Sequence, residues 1–245
     1  MPAMLRAEGI DTRHAVVDPS APTGLLLRDS HPSRAIDVQY YRAGSAASRL
    51  SPGELTAEIV RGARIVHITG ITPMLSGSAH QATLRLLELA SEAGALVSFD
   101  PNIRLKLGTP GEWRERVAPL LARADVVLAG ADELGLLQVD PSGLAGLVVI
   151  KHGDKSATCG ELRQEAFRVP VTDPVGAGDA FAAGFLSGLL RGLPYEVCLR
   201  EAAAVAALVV QCATDTDGLP DRAGLDRALA AFTGASAGTG ETVHR

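Results

Sequence analysis

From Arg64 onward the chain alternates short apolar runs with longer amphipathic ones, and this rhythm restricts the fold more than any other feature. Arg64–Thr69 reads as a strand of the buried type, followed by a helix over about Ser76–Ala93. Ala95–Asp100 is a second apolar strand, with a helix near Gly111–Ala122. Asp125–Leu128 precedes a helix near Ala131–Gln138, and Leu147–Lys151 is a further strand. Parallel strands need a long crossover, and a helix supplies it while covering a face of the sheet. The rhythm therefore predicts an α/β fold with a parallel sheet and helices on both faces. Ile65–Thr69 and Leu96–Asp100 are apolar enough to be central strands, which need a neighbour on each side.

The flanks have a different texture. His14–Asp18, Thr23–Arg28 and Ala35–Tyr41 are short extended runs separated by Pro, Ser and Gly. Ile36, Val38 and Tyr40 alternate, which implies one covered and one open face. On the other side, Ser156–Cys159 and Ala166–Val169 suggest a hairpin. Helices follow at about Ala177–Gly192, Tyr195–Cys212 and Asp221–Phe232. The middle one is apolar almost all round and should be buried. The tail from Gly234 is rich in Gly, Ala, Ser and Thr and is expected to be disordered.

Length and charge narrow the function. The 245 residues suffice for one large α/β domain, or a domain plus a small lobe. A net charge of -5 gives no reason to expect nucleic-acid or anionic-membrane partners. The three cysteines form no C-x-x-C and read as reduced thiols in a cytoplasmic protein. Ala202–Val210 is too short to span a bilayer, and the first residues lack the charged-then-apolar order of a secretory signal.

The chemistry concentrates in Asp173-Pro-Val-Gly-Ala-Gly-Asp-Ala-Phe181. A Gly-rich turn opening a helix leaves backbone N–H groups free, and with the helix dipole they form an anion site. Asp179 beside such a site suits a base that takes a proton from a hydroxyl attacking phosphorus. The plainer alternative is a helix start with an acidic first turn. The whole string resembles the D-T-x-G-A-G-D signature of the ribokinase-like (PfkB) sugar kinases. That resemblance implies that Asp179 is the catalytic base and that Gly176, Ala177 and Gly178 form the anion hole. It also implies a ribokinase-like three-layer αβα fold, a mostly parallel central sheet and a small β lid.

Other segments match the same family, and most closely its 2-keto-3-deoxygluconate kinase branch. Ser98-Phe-Asp-Pro-Asn-Ile-Arg104 resembles the branch's S-F-D-x-N-x-R, in which Arg reaches the sugar acid, so Arg104 is a candidate carboxylate partner. Tyr40-Tyr-Arg-Ala-Gly-Ser-Ala-Ala47 resembles the lid segment Y-Y-R-x-G-S-A-A, implying that Tyr40 and Arg42 hold substrate. The family's N-x-x-E motif, tied to Mg²⁺ and phosphate, has Gly130 at its Asn position and Glu133 at its Glu. Lys151 and Gly153 are implied near the ATP phosphates or ribose, and Asp215 at the substrate. No G-G-x-x-x-N motif is present, although relatives carry one ahead of the lid. The expectation is an N-terminally truncated kinase with residues 1–50 as a β-lid remnant, 51–233 as the kinase core and 234–245 as the tail. The implied reaction is Mg²⁺-assisted, ATP-dependent phosphorylation of 2-keto-3-deoxygluconate. The alternatives are another sugar kinase, such as a fructokinase or ribokinase, or a non-catalytic sugar-binding remnant. Lids of this family often pair between subunits, which implies homo-oligomers.

Overall fold

A computed structural model describes residues 2–29 and 37–237. The chain divides into two compact units, Met1–Val127 with Glu133–Gly146, and Leu128–Asp132 with Leu147–Arg245.

In the first unit, a six-residue helix α1 (Pro2–Ala7) buries nothing. Strands β1 (Leu25–Asp29) and β2 (Asp37–Tyr41) pair antiparallel, with Leu25 opposite Tyr41 and Leu27 opposite Gln39. Val38 and Tyr40 are half-buried while Asp37, Gln39 and Tyr41 are exposed, as their alternation predicts. Ala35 and Ile36 lie outside the described residues. The expected strand at His14–Asp18 does not form. Val16 and Val17 are 76% and 78% exposed, and Asp18 turns the chain by accepting from the Ser20 N–H at 2.8 Å and its hydroxyl at 2.7 Å. A β-prone pair with nothing to pair or pack against gains no reason to extend.

The crossover rhythm continues with β3 (Ile65–Thr69), α2 (Ile71–Leu75), α3 (Gly77–Glu92), β4 (Leu96–Asp100) and α4 (Pro110–Leu121). β5 (Val126–Gly130) leads into α5 (Ala131–Leu137). β3 and β4 run parallel with Ile65 opposite Leu96 and Thr69 opposite Asp100, and β4 pairs with β5 in parallel. Ser76 caps α3 by accepting from the Ala79 N–H at 3.0 Å, and a Thr109–Glu112 capping box starts α4. α4 buries Trp113, Val117, Leu120 and Leu121 at 1% exposure or less. The strand order of this unit is β3-β4-β5, so among the described residues β4 has a strand on each side and β3 on one side only. β4 is central, buried from Val97 to Asp100. β3 is an edge strand among the described residues, with His67 exposed and Ile65 and Val66 only half-buried. Its apolar composition says that it packs, and leaves open on how many sides.

One close approach fixes where the two strands end. The Gly70 N–H donates to the Asp100 carbonyl at 2.8 Å, and a Cβ at Gly70 would lie 2.3 Å from the Pro101 carbonyl oxygen. Only glycine lets the β3 exit lie so close to the Asp100-Pro-Asn-Ile-Arg104 loop.

The second unit takes the end of β5 and adds β6 (Leu147–Lys151), β7 (Ala157–Cys159) and β8 (Leu162–Gln164), in the order β5-β6-β7-β8. The last two pairings are antiparallel. The hairpin was expected to return at Ala166–Val169. It returns four residues earlier, because Gly160, at φ +56°, turns the chain directly after Cys159. Residues 166–169 are instead irregular. Helices α6 (Ala177–Leu190), α7 (Tyr195–Val209) and α8 (Arg222–Ala237) complete the unit. α7 is buried through Cys198, Leu199, Ala202, Ala204 and Val209, as its composition predicts. Its one buried acid, Glu201, 5% exposed, is paired with both Arg191 and Arg222. α8 runs five residues past Phe232, into the segment expected to be disordered, and residues 238–245 lie outside the described ones. All three cysteines are free thiols; Cys159 and Cys198 are buried.

Candidate active site

The approach to the Gly-rich turn is pinned before the turn begins. The N–H groups of Thr172 and Asp173 both donate to the Val210 carbonyl, at 2.8 and 3.1 Å, just past the end of α7. The Asp173 carboxylate then accepts from the Val175 N–H at 3.0 Å. Gly176 follows in the left-handed region at φ +82°, and a Cβ there would lie 2.7 Å from the Asp215 Cβ and 3.2 Å from its Cα. Both the conformation and the proximity of Asp215 demand glycine.

α6 starts at Ala177. Its first regular bond is from the Ala180 N–H to the Gly176 carbonyl at 2.8 Å, while the Ala177 N–H reaches Pro174 only at 3.4 Å. The N–H groups of Gly178 and Asp179, between them, meet no acceptor among the described residues. Two adjacent free donors at the positive end of a 14-residue helix make an anion site. The Asp179 side chain is exposed and makes no hydrogen bond or ion pair among the described residues. A carboxylate beside two free backbone donors, without a partner of its own among the described residues, is available as a base.

A cavity of about 580 Å³ opens beside this turn, entirely within the second unit. Phe167, Phe181, Ala203, Ala207 and Val210 form its apolar wall, and Phe167 is backed by Phe232 in a stack with centroids 4.4 Å apart. Its charged lining is basic, Lys151, Lys155 and Arg168 with His152 beside them, and no carboxylate lines it. Gly178 reaches the same cavity, and the Lys151 Nζ lies 4.0 Å from where a Gly178 Cβ would be. An apolar slot with a cationic rim next to an anion hole has the size and chemistry of a site for a nucleoside polyphosphate. Of the two expected nucleotide residues, Lys151 lines the cavity. Gly153 does not; it sits in the β6–β7 turn whose neighbours His152 and Lys155 do. The structure thus brings together Gly176, Ala177, Gly178, Asp179, Lys151 and the backbone of Asp215.

The other four candidates belong to the first unit. The Arg42 guanidinium lies 4.5 Å over the Tyr40 ring. One of its terminal nitrogens is buried and has no acceptor among the described residues, and the buried Ser45 hydroxyl nearby is likewise unpartnered among them. Arg104 is exposed, and its guanidinium donates to the Ile103 carbonyl at 2.9 Å. Its loop is fixed from two directions. The Glu133 carboxylate accepts from the Ile103 N–H at 2.7 Å. Lys106 bonds Asp37 at 2.5 Å and the Val38 carbonyl at 2.7 Å, tying this loop to the strand that carries Tyr40. No three His, Cys, Asp or Glu side chains converge as a metal site among the described residues.

Most of the cavity was missed in sequence. Phe167 and Arg168 fall in the run expected to be a strand, and Ala203, Ala207 and Val210 read as ordinary core. The signal available was an aromatic-basic pair, Phe167-Arg168, in the segment leading to the Gly-rich turn.

The chain is similar to known proteins. Residues 1–222 match the model of the pfkB family carbohydrate kinases. The 2-dehydro-3-deoxygluconokinase of Bacillus subtilis (strain 168) is 35% identical, over 98% of this chain and 77% of its own. A PfkB protein from Polaromonas sp. JS666 superimposes with a TM-score of 0.78 at 35% identity, covering 92% of this chain and 77% of that one. A putative ribokinase II from E. coli, in complex with ATP and Mg²⁺, shares the fold with a TM-score of 0.81 at 24% identity, over 96% and 78% of the two chains. With its ribokinase-like α/β fold, its glycine-rich turn and Asp179, the chain belongs to the pfkB family of carbohydrate kinases.

Proposed function

We propose that this chain transfers the γ-phosphate of ATP to the terminal hydroxyl of 2-keto-3-deoxygluconate, giving the 6-phosphate. The observation that carries the choice of substrate is the buried, unpartnered nitrogen of Arg42. An unmet buried donor costs about 1–3 kcal/mol, more when charged, and a sugar carboxylate would recover that cost. A neutral hexose or pentose offers only hydroxyl and ring oxygens, weaker acceptors for a guanidinium than a carboxylate. The name of the Bacillus relative supports the same sugar acid.

The roles follow from the groups. Asp179 takes the hydroxyl proton as that oxygen bonds to the γ-phosphorus and the bond to ADP breaks. The Gly178 and Asp179 N–H groups, with Lys151 beside them, hold the oxygens of the transferring phosphate. Tyr40, Arg42 and Arg104 take the sugar acid, and Asp215 holds the substrate beside the turn. Gly153 shapes the turn at the nucleotide cavity. Glu133, expected as a metal ligand, has one oxygen engaged by Ile103 and acts on the Arg104 loop. Among the described residues no three acidic, His or Cys side chains converge to cage Mg²⁺, so the metal is assigned to the incoming ATP complex, where it would neutralise phosphate charge. Three free thiols suit a reducing cytoplasm. On the lid, Leu25, Leu26 and Leu27 are 53%, 43% and 50% exposed and Tyr41 55%, a ribbon that a second copy of the chain would cover.

The test is a panel of ATP-dependent phosphorylation assays with 2-keto-3-deoxygluconate, fructose and ribose, on the wild type and Arg42→Ala. The sugar acid should be preferred, and the variant should raise its KM about 10- to 100-fold, the range of a lost charged hydrogen bond. Equal or better turnover of fructose or ribose, with no effect of Arg42→Ala, contradicts the assignment.

A further inference from the structure

Three cations of the first unit stand on the two segments expected to meet the sugar acid, and one of them is occupied. Lys106 donates to the Asp37 carboxylate at 2.5 Å and to the Val38 carbonyl at 2.7 Å, so its ammonium is committed to two consecutive residues of β2. Arg42, by contrast, keeps a buried nitrogen without an acceptor among the described residues. An ammonium with two short bonds inside the protein is a poor candidate for a ligand contact and a good one for a clasp.

Both ends of the clasp lead to an arginine. Lys106 lies in a single 3₁₀ turn, Leu105–Leu107, whose Leu107 N–H donates to the Arg104 carbonyl at 2.8 Å. The Ile103 N–H just before is held by the Glu133 carboxylate at 2.7 Å. Lys106 therefore cannot shift without carrying the Arg104 segment with it. At the other end, Val38 and Tyr40 share the half-buried face of β2, and the Arg42 guanidinium lies 4.5 Å over the Tyr40 ring.

The ribbon needs such a hold. Every residue of β1 and β2 is exposed or half-buried, and an element without buried side chains opens at low cost. Asp29 also stands directly opposite Asp37 across the ribbon, and like charges so placed repel. Lys106 brings a cation to that pair, and its hydrogen bond holds the Asp37 carboxyl below the usual carboxylate range. The Lys106 and Asp37 side chains are 55% and 59% exposed, so the pair itself adds little to global stability. Its effect belongs in binding, where a segment already in place need not be ordered by the ligand.

We propose that Lys106 is a positioning residue for the sugar acid: by clasping Asp37 and Val38 it fixes Tyr40 and Arg42 against the Arg104 loop, so that the ligand meets its arginines already assembled. The inference rests on Tyr40, Arg42 and Arg104 forming the sugar-acid site proposed above.

Calorimetry gives Kd for 2-keto-3-deoxygluconate and for ATP on the wild type, Lys106→Met, Lys106→Arg, Lys106→Met with Asp37→Asn, and Arg42→Ala, with melting curves and hydrogen exchange alongside. Lys106→Met should weaken the sugar acid about 3- to 10-fold, leave ATP within about twofold and melt within about 2 °C of the wild type. Amides of β1 and β2 should exchange faster while those of β4 do not change. Lys106→Arg should recover most of the affinity. The double variant separates the clasp from simple repulsion, because Asp37→Asn removes one of the two facing carboxylates. It should bind as weakly as Lys106→Met. Wild-type affinity in Lys106→Met, its return in the double variant, or an equal loss for ATP overturns the clasp, and the sugar-acid site still stands if Arg42→Ala binds more weakly. A wild type that does not bind the sugar acid, or an Arg42→Ala that binds it as tightly, overturns the site and the clasp together.

Discussion

Replacing Gly176 by alanine tests whether the turn is built as described, because the two neighbouring glycines should respond in opposite ways. At Gly176 the backbone is left-handed, and an L-residue there costs about 1–2 kcal/mol. The new methyl would also lie 2.7 Å from the Asp215 Cβ and 3.2 Å from its Cα, so main chain has to move. Overpacking of that kind costs about 1–3 kcal/mol. A stiffer unfolded chain returns about 0.4–1 kcal/mol. The net loss is about 2–4 kcal/mol, or roughly 4–16 °C in melting temperature for a domain of this size. At Gly178 the backbone is ordinary and a methyl would meet only the Lys151 Nζ, at 4.0 Å. Gly178→Ala should therefore fold as well as the wild type. It should nonetheless lose turnover about tenfold or more, because its methyl occupies the approach of a phosphate to a backbone donor. Differential scanning calorimetry and steady-state ADP release measure the two quantities. If Gly176→Ala melts within 1–2 °C of the wild type, or Gly178→Ala turns over normally, the anion-hole reasoning fails.

Three further outcomes follow from other parts of the molecule. Leu25→Glu with Leu27→Glu should convert a dimer to a monomer in light scattering without lowering the melting temperature; a wild type that is monomeric at high concentration removes the lid pairing. Arg191→Ala with Arg222→Ala strands the buried Glu201 carboxylate and should cost about 3–5 kcal/mol, whereas either single change leaves it one partner and should cost clearly less. Burial pushes the Cys159 and Cys198 thiols up, so at pH 8 a thiol reagent should modify Cys212 first and the other two only on unfolding; rapid reaction of all three contradicts their burial.

Acid should spare the nucleotide turn until late. The Ser156 hydroxyl and N–H, then Arg163, hold the Asp154 carboxyl far below the usual range. A depressed carboxylate contributes its full stability above its unfolded pKa of about 4, and that contribution is lost progressively as pH falls from there through the folded value. At any working pH of a kinase the turn keeps its lock.

What the sequence made legible was whatever rests on local chemistry. Strands such as Leu147–Lys151 and helices such as Gly77–Glu92 follow from apolar period and end signals, and Gly176 from a left-handed turn that needs it. Composition marks Ile65, Val66 and Ile68 as residues that pack, and the structure gives β3 a single strand neighbour, β4, among the described residues. The hairpin strand at Leu162–Gln164 was missed because Gly160 turns the chain earlier than the apolar run at Ala166–Val169 suggested. The cavity wall was hidden for a related reason. Ala203, Ala207 and Val210 carry no polar mark, and only packing shows that part of α7 faces an opening and not the core. Arg42 was found by its motif, but the unpartnered state of its buried nitrogen is a property of the folded lid alone.

The central claim is that Asp179 is the base at a phosphate site formed by Gly176 to Gly178. Asp179→Asn keeps the size and the turn while removing the basic oxygen. ADP release with 2-keto-3-deoxygluconate, beside calorimetric ATP binding, reads both halves of the claim. ATP affinity should stay within about twofold, and turnover should fall about 10²–10⁴-fold, the range for a lost general base. A variant that retains more than a tenth of wild-type turnover, or that loses ATP binding along with it, contradicts the account.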